Sequence, residues 1–111
     1  MQWIELANTQ QIEELKEKSK DKPQVIFKHS TRCSISSMAK GRLERSEAPR
    51  EVDFYHLDLI AHRNLSSKIA DEFKVHHESP QVLVIINGEC VFDESHYGID
   101  MEDIKQQLTS A

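Results

Sequence analysis

The sequence predicts an α/β domain on a mixed central sheet, with element order β-α-β-α-β-α-β-β-α and helices on both faces. Three observations carry this. Short apolar runs bounded by Pro, Gly and polar clusters alternate with segments whose apolar residues recur at helical spacing. The run QVLVIING, Gln81 to Gly88, is apolar almost throughout, as expected of a central strand covered on both faces. Its Asn87-Gly88 pair is the strongest short hairpin signal in the chain, so the last two strands pair antiparallel.

WIEL, Trp3 to Leu6, reads as a short first strand. Thr9 is expected to cap a helix with Ile12 and Leu15 on its apolar face. Glu13 and Glu14 come early in that helix and Lys16, Lys18 and Lys20 late, the charge order that suits its dipole. Asp21-Lys22-Pro23 ends it, and QVIFKH, Gln24 to His29, follows as a strand. A helix from about Cys33 to Arg45 is expected to present Ile35, Met38, Ala39 and Leu43 on one face. Ser46 to Glu51 is a loop and Val52 to Leu59 a strand. Leu65, Ile69 and Phe73 mark the next helix. His76 to Ser79 is a loop ending at Pro80. Glu89 to Ser95 is the hairpin partner of Gln81 to Gly88. Asp100 begins a last helix carrying Met101, Ile104 and Leu108, with Asp103 in a capping-box-like position. Helices separate the first three strands, so parallel crossovers are expected there. This is the element order of a thioredoxin-type domain.

The 111 residues form one expected domain, 1–111, long enough to bury a core without disulfides or a structural metal. A net charge of −5 argues against nucleic acid as a primary partner. No run approaches the length of a membrane span, and the start lacks the pattern of a signal peptide. The two cysteines, Cys33 and Cys90, and the absence of metal-ligand spacing read as a cytoplasmic chain with reduced thiols and no metal.

HSTRCSIS, residues 29 to 36, places a single cysteine at a helix start beyond the end of a strand, where open α/β sheets gather reactive groups. Free backbone N–H groups and the positive end of the dipole favour a thiolate there. Arg32 adds to this, as do His29 or Lys28 if they turn towards the sulfur. Ser36 stands where a second thiol would resolve a mixed disulfide. Cys33 can therefore attack a disulfide and accept one half, but an external thiol must release it. Ser36 could donate a hydrogen bond to the Cys33 thiolate, or be an ordinary first-turn serine. Cys90 follows the Asn87-Gly88 turn at the far end of the sheet, too distant to resolve Cys33, and is expected in or near the core.

Ser79-Pro80 precedes a buried strand, the place for a proline in a central ladder. In a domain of this type it lies beside the cysteine, typically with a cis bond that leaves the Ser79 backbone free to pair with an extended substrate. The hairpin partner runs back to the same end and delivers His96 and Tyr97 as candidate walls of a small-thiol pocket. A solvated connection is the alternative. The helix start at Asp100 is a further candidate anion contact. His56, His62, His76 and His77 have no spacing that compels a site.

FKHSTRCSIS, HHESPQVLVIINGE and ESHYGI together resemble the YtxJ-like monothiol bacilliredoxin family, over essentially the whole chain. The resemblance implies a cytosolic thiol–disulfide oxidoreductase that removes bacillithiol from S-bacillithiolated proteins. It carries no bound cofactor and takes bacillithiol as co-substrate. Cys33 would be the nucleophile, Ser36 the C-terminal serine of the motif and Pro80 the cis-proline. Clients would be S-bacillithiolated proteins. Release would fall to bacillithiol or to a reductase system drawing on NADPH. Bacillithiol carries a malyl group with two carboxylates, for which Arg32, Lys28 and the Asp100 helix start are candidate contacts. The family motif usually reads Cys-Pro-Ile-Ser, and this chain has Cys33-Ser34-Ile35-Ser36. Ser34 restores an N–H donor beside the sulfur where proline has none.

The main alternative is a non-catalytic thioredoxin-fold adaptor or stress-linked binding module. An iron–sulfur carrier of the monothiol glutaredoxin kind would need a Cys-Gly-Phe-Ser-like motif, which Ser34-Ile35 does not match. Metal binding by the six histidines lacks ligand spacing.

Overall fold

A computed structural model describes residues 1–109. The strands are β1 (Trp3–Glu5), β2 (Gln24–His29), β3 (Asp53–Asp58), β4 (Gln81–Ile86) and β5 (Glu89–Ser95). The helices are α1 (Gln10–Lys18), α2 (Ser34–Arg45), α3 (Arg63–Phe73) and α4 (Met101–Thr109), with a 3-10 turn at His96–Gly98. The five strands form one sheet in the order β1-β3-β2-β4-β5. β1 and β2 run parallel to β3, while β4 is antiparallel to both β2 and β5. This is the expected thioredoxin-type α/β domain, with mixed sheet and helices on both faces. No helix among the described residues is long and apolar enough to cross a membrane.

Alternation along the strands builds two cores. Ile26, Tyr55, Leu57, Leu83 and Ile85 point to one face and meet Ile12 and Leu15 of α1 and Leu65, Ile69 and Phe73 of α3. Val25, Phe27, Phe54, Val82 and Val84 point to the other and meet Ala39 and Leu43 of α2 and Met101 and Ile104 of α4. Every residue of β2 is buried. Each large apolar side chain removed from water contributes about 1.5–3 kcal/mol, so β2 and β4 anchor both layers.

The structure corrects three local expectations. Thr9 makes no side-chain cap on α1. Asn8 does so instead: its Oδ1 accepts the Gln11 N–H at 3.1 Å, and Gln11 Oε1 accepts the N–H groups of Ala7 at 2.6 Å and Asn8 at 3.1 Å. Helix α2 buries Ser36, Ala39 and Leu43, whereas Met38 is exposed and Ile35 half-buried. The inward face is thus turned by one residue, and a serine takes the place expected for an apolar side chain. Strand β4 stops at Ile86, because Asn87 and Gly88 both adopt positive φ, 54° and 77°, as a tight hairpin turn requires.

Packing on both faces gives a direct stability expectation. Leu83→Ala, at a fully buried position of β4, should cost about 2–5 kcal/mol in urea unfolding. Val91→Ala, on the exposed residue at the β4–β5 register shift, should stay within about 0.5 kcal/mol of wild type. Equal costs at the two sites would contradict the described core.

Candidate active site

Cys33 lies just beyond β2 as the N-cap of α2, with extended backbone angles (φ −109°, ψ 121°). Its N–H donates to the Ser30 carbonyl at 3.1 Å and its carbonyl accepts the Ser37 N–H at 3.1 Å. The residue is half-buried and its thiol is free. No side chain caps α2. Cys33 therefore holds the N-cap position, next to first-turn N–H groups that no side chain takes up. Arg32 and Ser34 are exposed on either side of it.

Ser36 faces inward. Its Oγ is 2.6 Å from His29 Nδ1 and accepts the Ser30 N–H at 3.0 Å. Both side chains are buried. No hydrogen bond joins Ser36 to Cys33 among the described residues, so the donor role open to Ser36 in the sequence is not the one it takes. The Ser36 hydroxyl and the His29 ring share one proton across this contact, its donor set by the ring tautomer. Burial first, then the nearby His56 and Lys40 charges, hold the His29 pKa below its ordinary value and favour the neutral ring. The His29 ring stacks on Phe27, with centroids 5.8 Å apart. Ser36 and His29 thus tie the first turn of α2 to the end of β2, with Cys33 between them.

The Ser79–Pro80 bond is cis. Lys28 pairs with Gln81, and the register carried one residue further sets Pro80 beside His29. The His96 N–H donates to the Pro80 carbonyl at 3.1 Å, and His96 itself holds a positive φ of 56°. Its Nε2 lies 3.5 Å from Glu78. The 3-10 turn packs against α2, and Arg42 Nη2 donates to the Ile99 carbonyl at 2.9 Å at the exit of that turn. Ser79 Oγ is buried without a partner, and no hydrogen bond among the described residues takes up the Ser79 backbone. Tyr97 points outward and is 71% exposed. Pro80 and His96 are thus joined directly, Ser79 keeps open valences, and Tyr97 stands at the surface.

Lys28 is not beside Cys33. Alternation along β2 sends it to the α1/α3 face, where it is completely buried. Its Nζ lies 3.2 Å from His77 Nδ1, and Ser66 Oγ lies 3.3 Å from the same nitrogen. Burial pulls the Lys28 pKa down to about 8. Burial, then the Lys28 charge, also lowers that of His77. The sequence reading missed this pair: His77 stood there as one of several histidines without a role. The strict alternation of QVIFKH is the signal that separates Lys28 from His29.

Cys90 pairs with Ile85, which also pairs with Gln24, the first residue of β2. Cys33 lies beyond His29, the last. The length of β2 sets them roughly 16 Å apart or more, against about 7 Å for a disulfide. Cys90 packs against the α1/α3 core, donates to the Phe92 carbonyl at 3.3 Å, and has its thiol pKa pushed up to about 11 by burial.

Comparison with known proteins follows this geometry. A family profile described as monothiol bacilliredoxin BrxC matches residues 4–104. A solved structure described as a candidate oxidoreductase with a thioredoxin fold is 34% identical, with a TM-score of 0.82, covering 93% of this chain and 90% of its own. Thioredoxin from Fasciola hepatica is 19% identical, with a TM-score of 0.73 and 96% coverage of each chain. Thioredoxin from Trypanosoma brucei brucei is 16% identical, with a TM-score of 0.72, covering 98% of this chain and 89% of its own. The two thioredoxins are likenesses of fold.

Two outcomes test the side-chain assignments. Ser36→Ala leaves His29 Nδ1 and the Ser30 N–H unpaired, and should cost about 1–3 kcal/mol of stability while Cys33 stays reactive towards a small disulfide. Loss of reactivity at unchanged stability would instead place the serine on the sulfur. For Lys28, the folded pKa near 8 lies below the ordinary 10.5, so the unfolded chain binds more protons between these values and stability rises with pH across that window. Against Lys28→Met, wild type should therefore gain on the order of 3 kcal/mol between pH 8 and 10.5 in denaturant titrations. Parallel curves would mean that Lys28 is solvated. Tyr55 titrates with the opposite sign but is shared by both chains, whereas Cys90 and Lys28 act on each other, so the comparison is made in a Cys90→Ser background.

Proposed function

Because this chain belongs to the monothiol bacilliredoxin family, and is thereby a thiol–disulfide oxidoreductase of thioredoxin fold, we propose that it removes bacillithiol from S-bacillithiolated proteins by monothiol exchange at Cys33. The observation that carries this reading is the isolation of Cys33. It is a free thiol at an uncapped helix start, with a buried serine at position 36 and Cys90 at the other end of the sheet.

The Cys33 thiolate attacks the bacillithiol sulfur of the mixed disulfide. The client sulfur leaves with the bonding pair, takes a proton from solvent and is reduced. Cys33 then holds bacillithiol as a new disulfide. A second bacillithiol thiolate attacks that disulfide at the bacillithiol sulfur, frees Cys33 and leaves as oxidised bacillithiol. An NADPH-dependent reductase system is an alternative source of the same electrons. An internal thiol would compete with this second step, and none lies within reach. Ser36 and His29 hold the turn in place rather than reacting. Ser79 offers free backbone groups to the client or to the small thiol. Pro80 and His96 supply the neighbouring wall, Tyr97 lies at the exposed surface beyond it, and Arg32 and Ser34 are the chain neighbours of Cys33. In this reading the protein has no bound cofactor, takes bacillithiol as co-substrate and works in the cytoplasm.

Intact-protein mass spectrometry after mixing with an S-bacillithiolated client is the direct test. Wild type and Cys90→Ser should each gain one bacillithiol, and Cys33→Ser none. An S-glutathionylated client should transfer more slowly. No adduct on wild type, or an adduct that survives Cys33→Ser, would favour the adaptor reading.

A further inference from the structure

At the same end of the sheet as Cys33, but on the α3 side, Leu59, Arg63, Ser66, Ser67 and His77 line an open cavity of about 270 Å³. Behind it stands Lys28. Its side chain is completely buried, and among the described residues no carboxylate pairs with it. A buried cation normally has an anionic partner, because desolvation otherwise outweighs what neutral groups return. Here the partner is the neutral imidazole of His77.

That arrangement fixes a donor. A lysine ammonium carries only N–H groups, so it must donate to His77 Nδ1. The remaining proton of the ring then sits on Nε2, at the edge away from Lys28. Arg63, the first residue of α3, has no ion pair among the described residues. Ser66 and Ser67 add hydroxyls, and no side chain caps α3. Two acids adjoin the lining residues in sequence: Asp58, whose Oδ1 already accepts the N–H groups of Ile60 at 3.1 Å and Ala61 at 3.2 Å, and Glu78, which lies 3.9 Å from His76 and 3.5 Å from His96. The cavity therefore presents donors and positive charge, with its strongest charge placed where solvent cannot neutralise it.

We propose that this cavity binds a carboxylate of the small thiol that Cys33 exchanges, with Arg63 and His77 Nε2–H as donors and Lys28 as the fixed charge behind them. The proposal rests on the exchange reading above and names the anionic subsite of the same active end. His77 lies three residues before Pro80, a chain span of at most about 11 Å. A small thiol whose sulfur lies at Cys33 and whose carboxylates lie at its other end thus crosses the Ser79-Pro80 edge to reach the cavity.

The test is a binding measurement on a chain that cannot exchange. Cys33→Ser is titrated with oxidised bacillithiol, and with bis(2-hydroxyethyl) disulfide as a neutral control, while NMR follows the Ser66 and Ser67 amides and the His77 ring. Oxidised bacillithiol should shift these signals and the neutral disulfide should not. Arg63→Ala and His77→Ala, each added to Cys33→Ser, should each weaken binding about tenfold, the loss of one charge-assisted contact. Shifts confined to the surroundings of position 33, equal shifts from the neutral disulfide, or unchanged affinity in both variants would overturn the proposal. Binding in the cavity with no transfer to wild type in the mass-spectrometric experiment would sink the exchange reading and leave the subsite standing.

Discussion

Strand β2 is covered on both faces, and the rest of the active end depends on that constraint. A strand sends successive side chains to opposite sides. Phe27 and His29 must therefore enter the layer under α2, and Ile26 and Lys28 the layer under α3. Neither polar side chain can reach water by turning round, because a one-residue slip would only move it from one covered face to the other. His29 finds Ser36 and Lys28 finds His77, each within hydrogen-bond distance. These two pairs set the shape of the turn that carries Cys33 and of the loop that leads into Pro80.

The first pair explains how the turn that carries Cys33 is kept in place. The segment from Ser30 to Cys33 is short and polar, with few apolar contacts of its own. Its conformation is fixed by the Cys33 N–H on the Ser30 carbonyl and by the Ser30 N–H on Ser36 Oγ. Both bonds close over the same few residues and hold the sulfur at the helix start. Position 36, where a second cysteine would turn the site into a dithiol, is here an anchoring point. The serine therefore fits the proposed monothiol exchange in two ways: it supplies no thiol, and it fixes the turn. On the other side, the His96 N–H on the Pro80 carbonyl fastens the hairpin exit to the proline, so both walls of the active end are held by backbone bonds.

The architecture was largely legible in the sequence, because each element carried its own local signal. QVIFKH and QVLVIING read as strands from apolar content, Asn87-Gly88 as a hairpin from the need for positive φ, and Cys33 as a helix start from its place after a strand. Signals that depend on side-chain orientation were read less well. Apolar periodicity in α2 points to Ile35 and Met38 as inward residues, since it cannot foresee that the space under the first turn is filled by a serine bonded to a histidine. Thr9 is the expected α1 cap from residue type, yet Asn8 and Gln11 satisfy the three-residue spacing one position earlier. Lys28 and His77 are far apart in sequence and share no motif, so only the fold brings them together.

Lys28 sharpens the question of what a buried charge is for. A methionine would fill much the same volume without the cost of removing an ammonium group from water, and such replacements are often neutral or stabilising. With only His77 as partner, Lys28 lowers the stability of the empty protein whenever it is charged, which its pKa of about 8 makes the larger population at neutral pH. A group that is unfavourable in the empty state and favourable when an anion sits over His77 contributes to the difference between the two states rather than to either alone. In the proposed subsite it would strengthen discrimination for anionic over neutral small thiols at the expense of stability. An exposed lysine at the rim would contribute less, since water and salt screen it in both states. Burial behind a neutral imidazole makes the charge felt in the cavity without letting it pair with a surface carboxylate. The double covering of β2 is what puts it there.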